Sequence, residues 1–249
     1  MAQAILSNNR APSNRQGGST HPAAVVTKYT KRADENGWLS VKLEPKGTLV
    51  ALCEYTKVTF TKESGGRTYF RIADGNSEFV GQTASLKTEN ALKYLMDTPP
   101  TAPATVKVKY TGAPAHAVSE FKGKLLQQWA QVSFNGKTAK VTLNSQWGGE
   151  FTPIPPGRHR IMAPDRSHGN ISTDGYKAQG SLHCTDVWFP IELQGTKGNS
   201  SRYIHVGHLS DGCVTFYELI KWNDIYDYLI CRRVKGEGGK YVGELLVEK

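Results

Sequence analysis

Apolar and polar residues alternate through much of the first half of the chain. Leu39-Ser-Val-Lys-Leu43 puts three apolar side chains on one face of an extended segment, and Leu49 to Phe60 is rich in β-branched and aromatic residues. Gly65-Gly66 separates that run from Thr68 to Ile72, which predicts a hairpin with a return strand, and Asp74-Gly75 marks a further turn. From Thr88 to Met96 the spacing becomes helical, with Ala91, Leu92 and Leu95 on one face, before a Pro- and Thr-rich break at Asp97 to Pro103. Val106 to Tyr110 alternates again and is expected to join the same sheet. Trp38, Tyr55, Phe60, Tyr69 and Phe70 suit core packing at this density more than an aromatic binding face.

The second half opens with Glu120 to Trp129, read as a short helix. Asn135-Gly136 between Gln131–Phe134 and Ala139–Leu143 predicts a tight hairpin. Arg158 to Met162 reads as a strand behind a loop stiffened by Pro153, Pro155 and Pro156. Asp165 to Gly180 is polar and Gly-rich, an exposed loop able to cover a cleft, with His168 expected to be solvated. Val187 to Ile191 reads as a buried strand with a kink at Pro190, and Gln194 to Ser200 as a turn into a strand at Tyr203 and Ile204. Beyond it, Phe216, Leu219 and Ile220 form an apolar stripe. Asp224 is placed to N-cap a helix burying Ile225, Tyr228 and Leu229, with Arg232 and Arg233 at its C-terminal end, and Tyr241 to Val247 reads as a last strand. The fold class is therefore mainly β with few helices, a β-rich α+β chain. Its expected organisation is a disordered tail over 1–22, a β-rich N-terminal domain of unknown role over 23–116, and a second domain over 117–249, with Gly112 to His116 as linker.

Composition narrows the partners. The 249 residues carry a formal charge of +9, which favours anionic partners. The Lys and Arg residues are scattered along the chain as on a solvated surface, so nucleic acid is not the expected partner. No apolar run approaches the ~20 residues of a membrane-spanning helix, so no transmembrane segment is expected, and Met1 to His21 lacks the apolar core of a signal peptide. The four cysteines, Cys53, Cys184, Cys213 and Cys231, form no Cys-x-x-Cys pair. His183-Cys184 lacks partners at metal-ligand spacing, so neither a metal nor a cofactor is expected.

Candidate chemistry gathers in Arg202 to Phe216. Tyr203 and Ile204 end a buried strand, His205 follows, and Gly207, Ser210 and Gly212 supply a tight turn ahead of Cys213. A cysteine between such a turn and a helix would meet converging backbone N–H groups that favour a thiolate and a developing oxyanion. His205 or His208 would take the thiol proton. The alternative reading makes Cys213 a small core residue, with both histidines ordinary.

Ile204-His205-Val206-Gly207 followed by Ser210-Asp211-Gly212-Cys213-Val214 resembles the catalytic signature of the L,D-transpeptidase (YkuD-type) domain: a His, usually with Gly after it, a loop, then Ser-His-Gly-Cys and a hydrophobic residue. Upstream, Thr152-Pro153-Ile154-Pro155-Pro156-Gly157 is similar to that family's Pro-Thr-Pro-x-Gly turn. The likeness covers about Trp129 to Lys249. Asp211 stands where the family has His and Thr215 where it commonly has Arg, and the loop between His205 and Cys213 is short, at seven residues, as in secreted antibacterial effectors of the superfamily.

The resemblance implies a β-sandwich or barrel holding a cysteine acyl-transfer enzyme. His205 would be the base for the Cys213 nucleophile, with His208 as an alternative base or substrate-orienting group. Gly212 and Cys213 N–H groups would form the oxyanion hole within the turn Ser210-Asp211-Gly212, and Asp211 would contact a substrate ammonium or cap the following turn. The implied substrates are peptidoglycan stem peptides, processed by transpeptidation, D-amino-acid exchange or L,D-carboxypeptidase action. An effector delivered to another cell's periplasm or cell wall would also have a cognate immunity or inhibitor protein, or a secretion-system component, as partner. A Cys-His hydrolase of an unrelated amide, or a non-catalytic basic binding module, are the alternatives.

Overall fold

Turn chemistry and alternation build the first sheet. The computed structural model describes residues 25–168, 174–179 and 181–249, so the expected tail over 1–22 lies outside the described residues. Seven strands come first: β1 (Thr27–Thr30), β2 (Trp38–Leu43), β3 (Leu49–Cys53), β4 (Lys57–Ser64), β5 (Arg67–Ile72), β6 (Thr83–Lys87) and, after helix α1 (Thr88–Tyr94), the short β7 (Leu95–Met96). Their order is β3-β2-β6-β5-β4-β1-β7, every pairing antiparallel. Gly65 and Gly66, at φ +57° and +70°, close the predicted β4–β5 hairpin. The run Leu49 to Phe60, read as one segment, is broken at Tyr55, whose φ is +59°. Buried Thr30 pins that corner, donating to the Cys53 carbonyl at 2.6 Å and accepting from the Thr56 N–H at 3.0 Å.

Leu39, Val41, Leu43, Leu52, Val58, Phe70, Ile72, Ala84, Leu86 and Ala91 form this sheet's core. Of the face expected on α1, only Ala91 is buried in the helix, and Leu92 is 82% exposed.

The remaining strands are β8 (Ala104–Tyr110), β9 (Ala115–Ser119), β10 (Gly123–Phe134), β11 (Lys137–Asn144), β12 (Gly157–Met162), β13 (Phe189–Glu192), β14 (Arg202–Val206), β15 (Asp211–Phe216) and β16 (Tyr241–Glu248). The order β11-β15-β14-β13-β12-β16-β8-β10-β9, with β10 also paired to β11, closes eight strands into a ring and leaves β9 beside the first part of β10. The short helix α2 (Asp174–Lys177) and helix α3 (Trp222–Ile230) accompany it. The chain is thus a β-rich α+β protein, and among the described residues no helix is long and apolar enough to cross a membrane.

Two sequence expectations change here. Val106–Tyr110 lies in β8 of the ring, where it pairs with β16 and β10, and not in the first sheet. Glu120–Trp129 is not a helix: Gly123 onward belongs to β10, whose backbone groups are taken by β9, β11 and β8. The Asn135-Gly136 hairpin forms as predicted, with φ +46° and +73°. Helix α3 begins at Trp222, and Asp224 sits in its first turn pairing with Lys137 at 2.6 Å instead of capping it. Trp222, Ile225, Tyr226 and Leu229 of α3 enter the ring's core, which also takes in Trp38 and Cys53 from the first sheet.

Candidate active site around Cys213

Strands β14 and β15 run parallel, with Ile204 opposite Val214, His205 opposite Thr215 and Val206 opposite Phe216. Parallel neighbours ordinarily need a crossover of a dozen residues or more; here only Gly207 to Ser210 intervene. The register sets Asp211 level with Ser201. The return must cover about 16 Å, close to the roughly 17 Å that five fully extended residue steps can reach.

So taut a connection is held from outside. The Ser210 N–H donates to Ser145 Oγ at 2.8 Å, and the Ser145 N–H to the Ser210 carbonyl at 2.8 Å. Gln127 Nε2 donates to the His208 carbonyl at 3.0 Å, and the His208 N–H to the Tyr176 hydroxyl at 2.9 Å.

His208 is a strut in this arrangement. Its Nε2 reaches the Tyr217 carbonyl at 3.1 Å, so that nitrogen carries the hydrogen, and its Nδ1 accepts from Ser119 Oγ at 2.6 Å. The ring also packs on Tyr217, 4.1 Å between centroids. With both ring nitrogens engaged away from Cys213, the sequence's alternative base is committed to holding the loop.

The parallel register puts Tyr203, His205, Cys213 and Thr215 on one face, because partners share a face and residues two apart along a strand return to it. Trp188 lies over that face. It stacks on His205 at 4.2 Å and 18°, and His168 also stacks on it at 4.4 Å and 4°. Trp188, Tyr203 and Cys213 form a small buried cluster of their own. His168, expected to be solvated, is only 5% exposed, and its Nε2 lies 3.8 Å from Asp165 Oδ1. Residues 169–173 and 180 of the predicted covering loop lie outside the described residues.

His205 Nδ1 is 2.9 Å from the Val206 carbonyl, which can only accept, so Nδ1 carries the hydrogen. Nε2 is the basic nitrogen and accepts from the Thr215 hydroxyl at 3.0 Å. Burial pushes the ring down to about 4, so it is neutral at physiological pH. Thr215 is therefore a direct partner of the candidate base.

Cys213 lies inside β15, not between a turn and a helix N-terminus as the sequence suggested; a short 3₁₀ turn at Leu219–Lys221 and then α3 at Trp222 follow only after the strand has ended. No helix dipole acidifies it. Burial pushes its thiol up to about 12, against smaller opposing contributions from the Tyr203 backbone and the Arg202 charge. Its N–H, expected to face an oxyanion, donates to Ser210 Oγ at 3.2 Å, and that hydroxyl donates back to the Cys213 carbonyl at 3.1 Å.

Gly212 has φ +73°, and a Cβ there would lie 2.6 Å from the Thr152 carbonyl oxygen and 2.8 Å from Phe151 Cβ, so only glycine fits. The Asp211 carboxylate does not cap the following turn; it accepts the Phe151 N–H at 3.1 Å and ties the Pro-rich loop to the cysteine strand.

One further residue belongs here that the sequence reading passed over. Arg202 opens β14, and its Nε lies 3.1 Å from where a Gly212 Cβ would be. Its guanidinium sits 4.5 Å over the Phe151 ring, and the buried Nε has no hydrogen-bond partner. The missing signal was the parallel register, which alone sets Arg202 beside the cysteine turn.

All four cysteines are free, and among the described residues no group of His, Cys, Asp and Glu could hold a metal ion. Comparison with known protein families, with curated proteins and with solved structures finds no match.

Proposed function

We propose that the chain is a cysteine acyl-transfer enzyme acting on peptidoglycan stem peptides, as an L,D-transpeptidase, an L,D-carboxypeptidase or a D-amino-acid exchanger. The observation that supports this most is the parallel β14–β15 register, which sets a neutral His205 of fixed tautomer on the same face as Cys213. The likeness of Ser210-Asp211-Gly212-Cys213 to the family signature supplies the substrate class.

In this reading, with the thiol at about 12 and the imidazole at about 4, the resting pair is thiol and neutral base, not an ion pair. The proton therefore moves to His205 Nε2 as the Cys213 Sγ–carbon bond forms, with the Thr215 hydroxyl giving way at that nitrogen. His205 then returns the proton to the departing nitrogen as the carbon–nitrogen bond breaks. An amine resolves the thioester to a crosslink or exchanged residue; water resolves it to a shortened peptide. The Gly212 N–H remains the candidate oxyanion donor, since the Cys213 N–H is held by Ser210. Action on wall peptides places the protein in a periplasm or cell wall, and the short loop and basic surface fit an antibacterial effector with a cognate immunity protein.

Mass spectrometry of tetrapeptide muropeptides after incubation with the protein and with Cys213→Ala tests the proposal. Loss of the terminal D-residue, or appearance of crosslinked dimers, is expected only with the unaltered protein. Unchanged muropeptides beside a folded protein would overturn the substrate class. Reaction of Cys213 with thiol-directed amide probes would then point to a hydrolase of another amide.

A further inference from the structure

Arginine keeps its charge at every physiological pH, and a half-buried guanidinium is stabilised by an anion within reach. Arg32, Arg158 and Arg160 each reach a carboxylate of this chain, and buried Arg233, which among the described residues has no carboxylate partner and an unpartnered Nε of its own, donates its other N–H groups to the Ile230, Arg232 and Glu54 carbonyls. Arg202 makes no such ion pair among the described residues; its one hydrogen bond is a long one, 3.4 Å from Nη1 to the Ser200 carbonyl. Its Nε is buried without a partner. A buried donor without an acceptor is costly, so the position calls for a reason.

Its surroundings supply one. The side chain leans on Gly212, next to the proposed nucleophile, and Phe151 supports the guanidinium plane. A ring against the face leaves the edges, where the N–H groups point, for an acceptor in that plane. A carboxylate is the acceptor whose two oxygens match that edge. The carboxylate nearest in sequence to the nucleophile, Asp211, is turned to the Phe151 N–H and forms no ion pair with Arg202.

We propose that Arg202 is a specificity residue that binds the free carboxylate of the residue leaving the scissile amide. This rests on the acyl-transfer reading above and deepens it. A carboxylate held beside the Cys213 turn selects peptides cut one residue from their end, so the enzyme acts on chain termini and not within a chain. The anchor takes no part in bond making. The Sγ–carbon bond forms, the carbon–nitrogen bond breaks, the thiol proton passes through His205 to the leaving nitrogen, and the carboxylate departs unchanged with its amino acid.

The test is a calorimetric titration of Cys213→Ala protein, which cannot turn over, with a stem tetrapeptide ending in a free carboxylate and with the same peptide ending in a carboxamide. The carboxylate form is expected to bind about tenfold more tightly. Adding Arg202→Gln should abolish that ratio, while Arg202→Lys, which keeps the charge and loses the fork, should keep part of it. Thermal unfolding of each variant confirms that it is folded. Equal binding of the two peptides, binding of neither, or a ratio that survives Arg202→Gln would overturn the proposal. A carboxylate preference in Cys213→Ala alongside no turnover by the unaltered protein would instead sink the acyl-transfer reading and keep the anchor.

Discussion

The two sheets bury different things. In the first, the buried polar residues are Thr30, Thr56, Thr68 and Ser85, small hydroxyls that patch turns and strand edges. The eight-stranded ring and its loops bury His159, His168, His205, His208, Gln127, Gln128, Asn144, Asp186, Glu192 and Arg233. Burying such groups is costly unless each finds a partner, and networks of them hold one arrangement firmly. Part of that cost falls around the β14–β15 parallel pairing, where a four-residue return is held by Ser145, Gln127, Ser119 and Tyr176; His159, Glu192 and Arg233 are buried elsewhere, bonded to the Pro155 carbonyl, the Tyr241 hydroxyl and the Glu54 carbonyl. The first sheet, antiparallel throughout, contains no such taut parallel return. Rigidity bought with buried polar groups thus marks the part of the molecule where chemistry is to be sought.

Glycine turns give the largest contrast between the two. Gly65 and Gly212 both have positive φ, +57° and +73°, but a Cβ at Gly65 meets nothing within 4 Å, whereas at Gly212 it meets the Thr152 carbonyl oxygen at 2.6 Å. Gly65→Ala should cost only the left-handed strain, about 1 kcal/mol. Gly212→Ala adds a backbone clash, for a total of about 4 kcal/mol. Urea unfolding of both variants checks this, and equal losses would break the claim that the cysteine strand is the more tightly constrained.

Acid should weaken the ring next. His205 falls from an ordinary 6.5 to about 4 in the fold, so between those values the unfolded chain binds the proton that the native ring refuses. Stability is full above about pH 6.5 and is lost as pH falls toward 4, by about 3 kcal/mol from this group. His159 and His208, also lowered by burial, act in the same direction. Denaturant unfolding between pH 7 and pH 4 reads the slope, and His205→Gln should flatten it. An unchanged slope in that variant would mean His205 is not the neutral buried base described above.

The two histidines separate by role. His208→Asn strips the partners of Ser119 and the Tyr217 carbonyl and should cost about 2 kcal/mol, with turnover per folded molecule largely kept. His205→Asn should abolish turnover. Rates measured at matched folded fraction test both, and loss of turnover in His208→Asn alone would reverse the assignment.

How much of this could be read from the chain follows the same division. Gly65-Gly66 and Asn135-Gly136 announce their hairpins because the turn residues lie between the strands they join. Val106–Tyr110 alternates identically whichever sheet receives it, so only pairing with distant β16 reveals its place. Leu125, Leu126 and Trp129 carry spacing that also suits a helix, and the ladder on both sides of β10 decided otherwise. His205 and Cys213 stood out as residue types. What makes them neighbours on one face, and what brings Arg202 to Gly212, is a parallel register that no local pattern encodes. His168 looked solvated because its sequence neighbours are polar; its burial comes from Trp188, twenty residues on.

The smallest expected effect probes the contact that the signature least foretold. Thr215 donates its hydroxyl to His205 Nε2, and a hydrogen bond to the neutral form of a ring lowers its affinity for a proton. Thr215→Val keeps the shape and removes the donor, so stability should drop by only about 1 kcal/mol. The pH at which the native ring takes up its proton should move upward from about 4, because the ring becomes easier to protonate, and the acid-driven loss of stability should shrink with it. NMR titration of the His205 ring in the native state reads the same shift directly. A midpoint that stays fixed would show that burial under Trp188 alone sets the basicity of the ring, and that Thr215 serves to orient it.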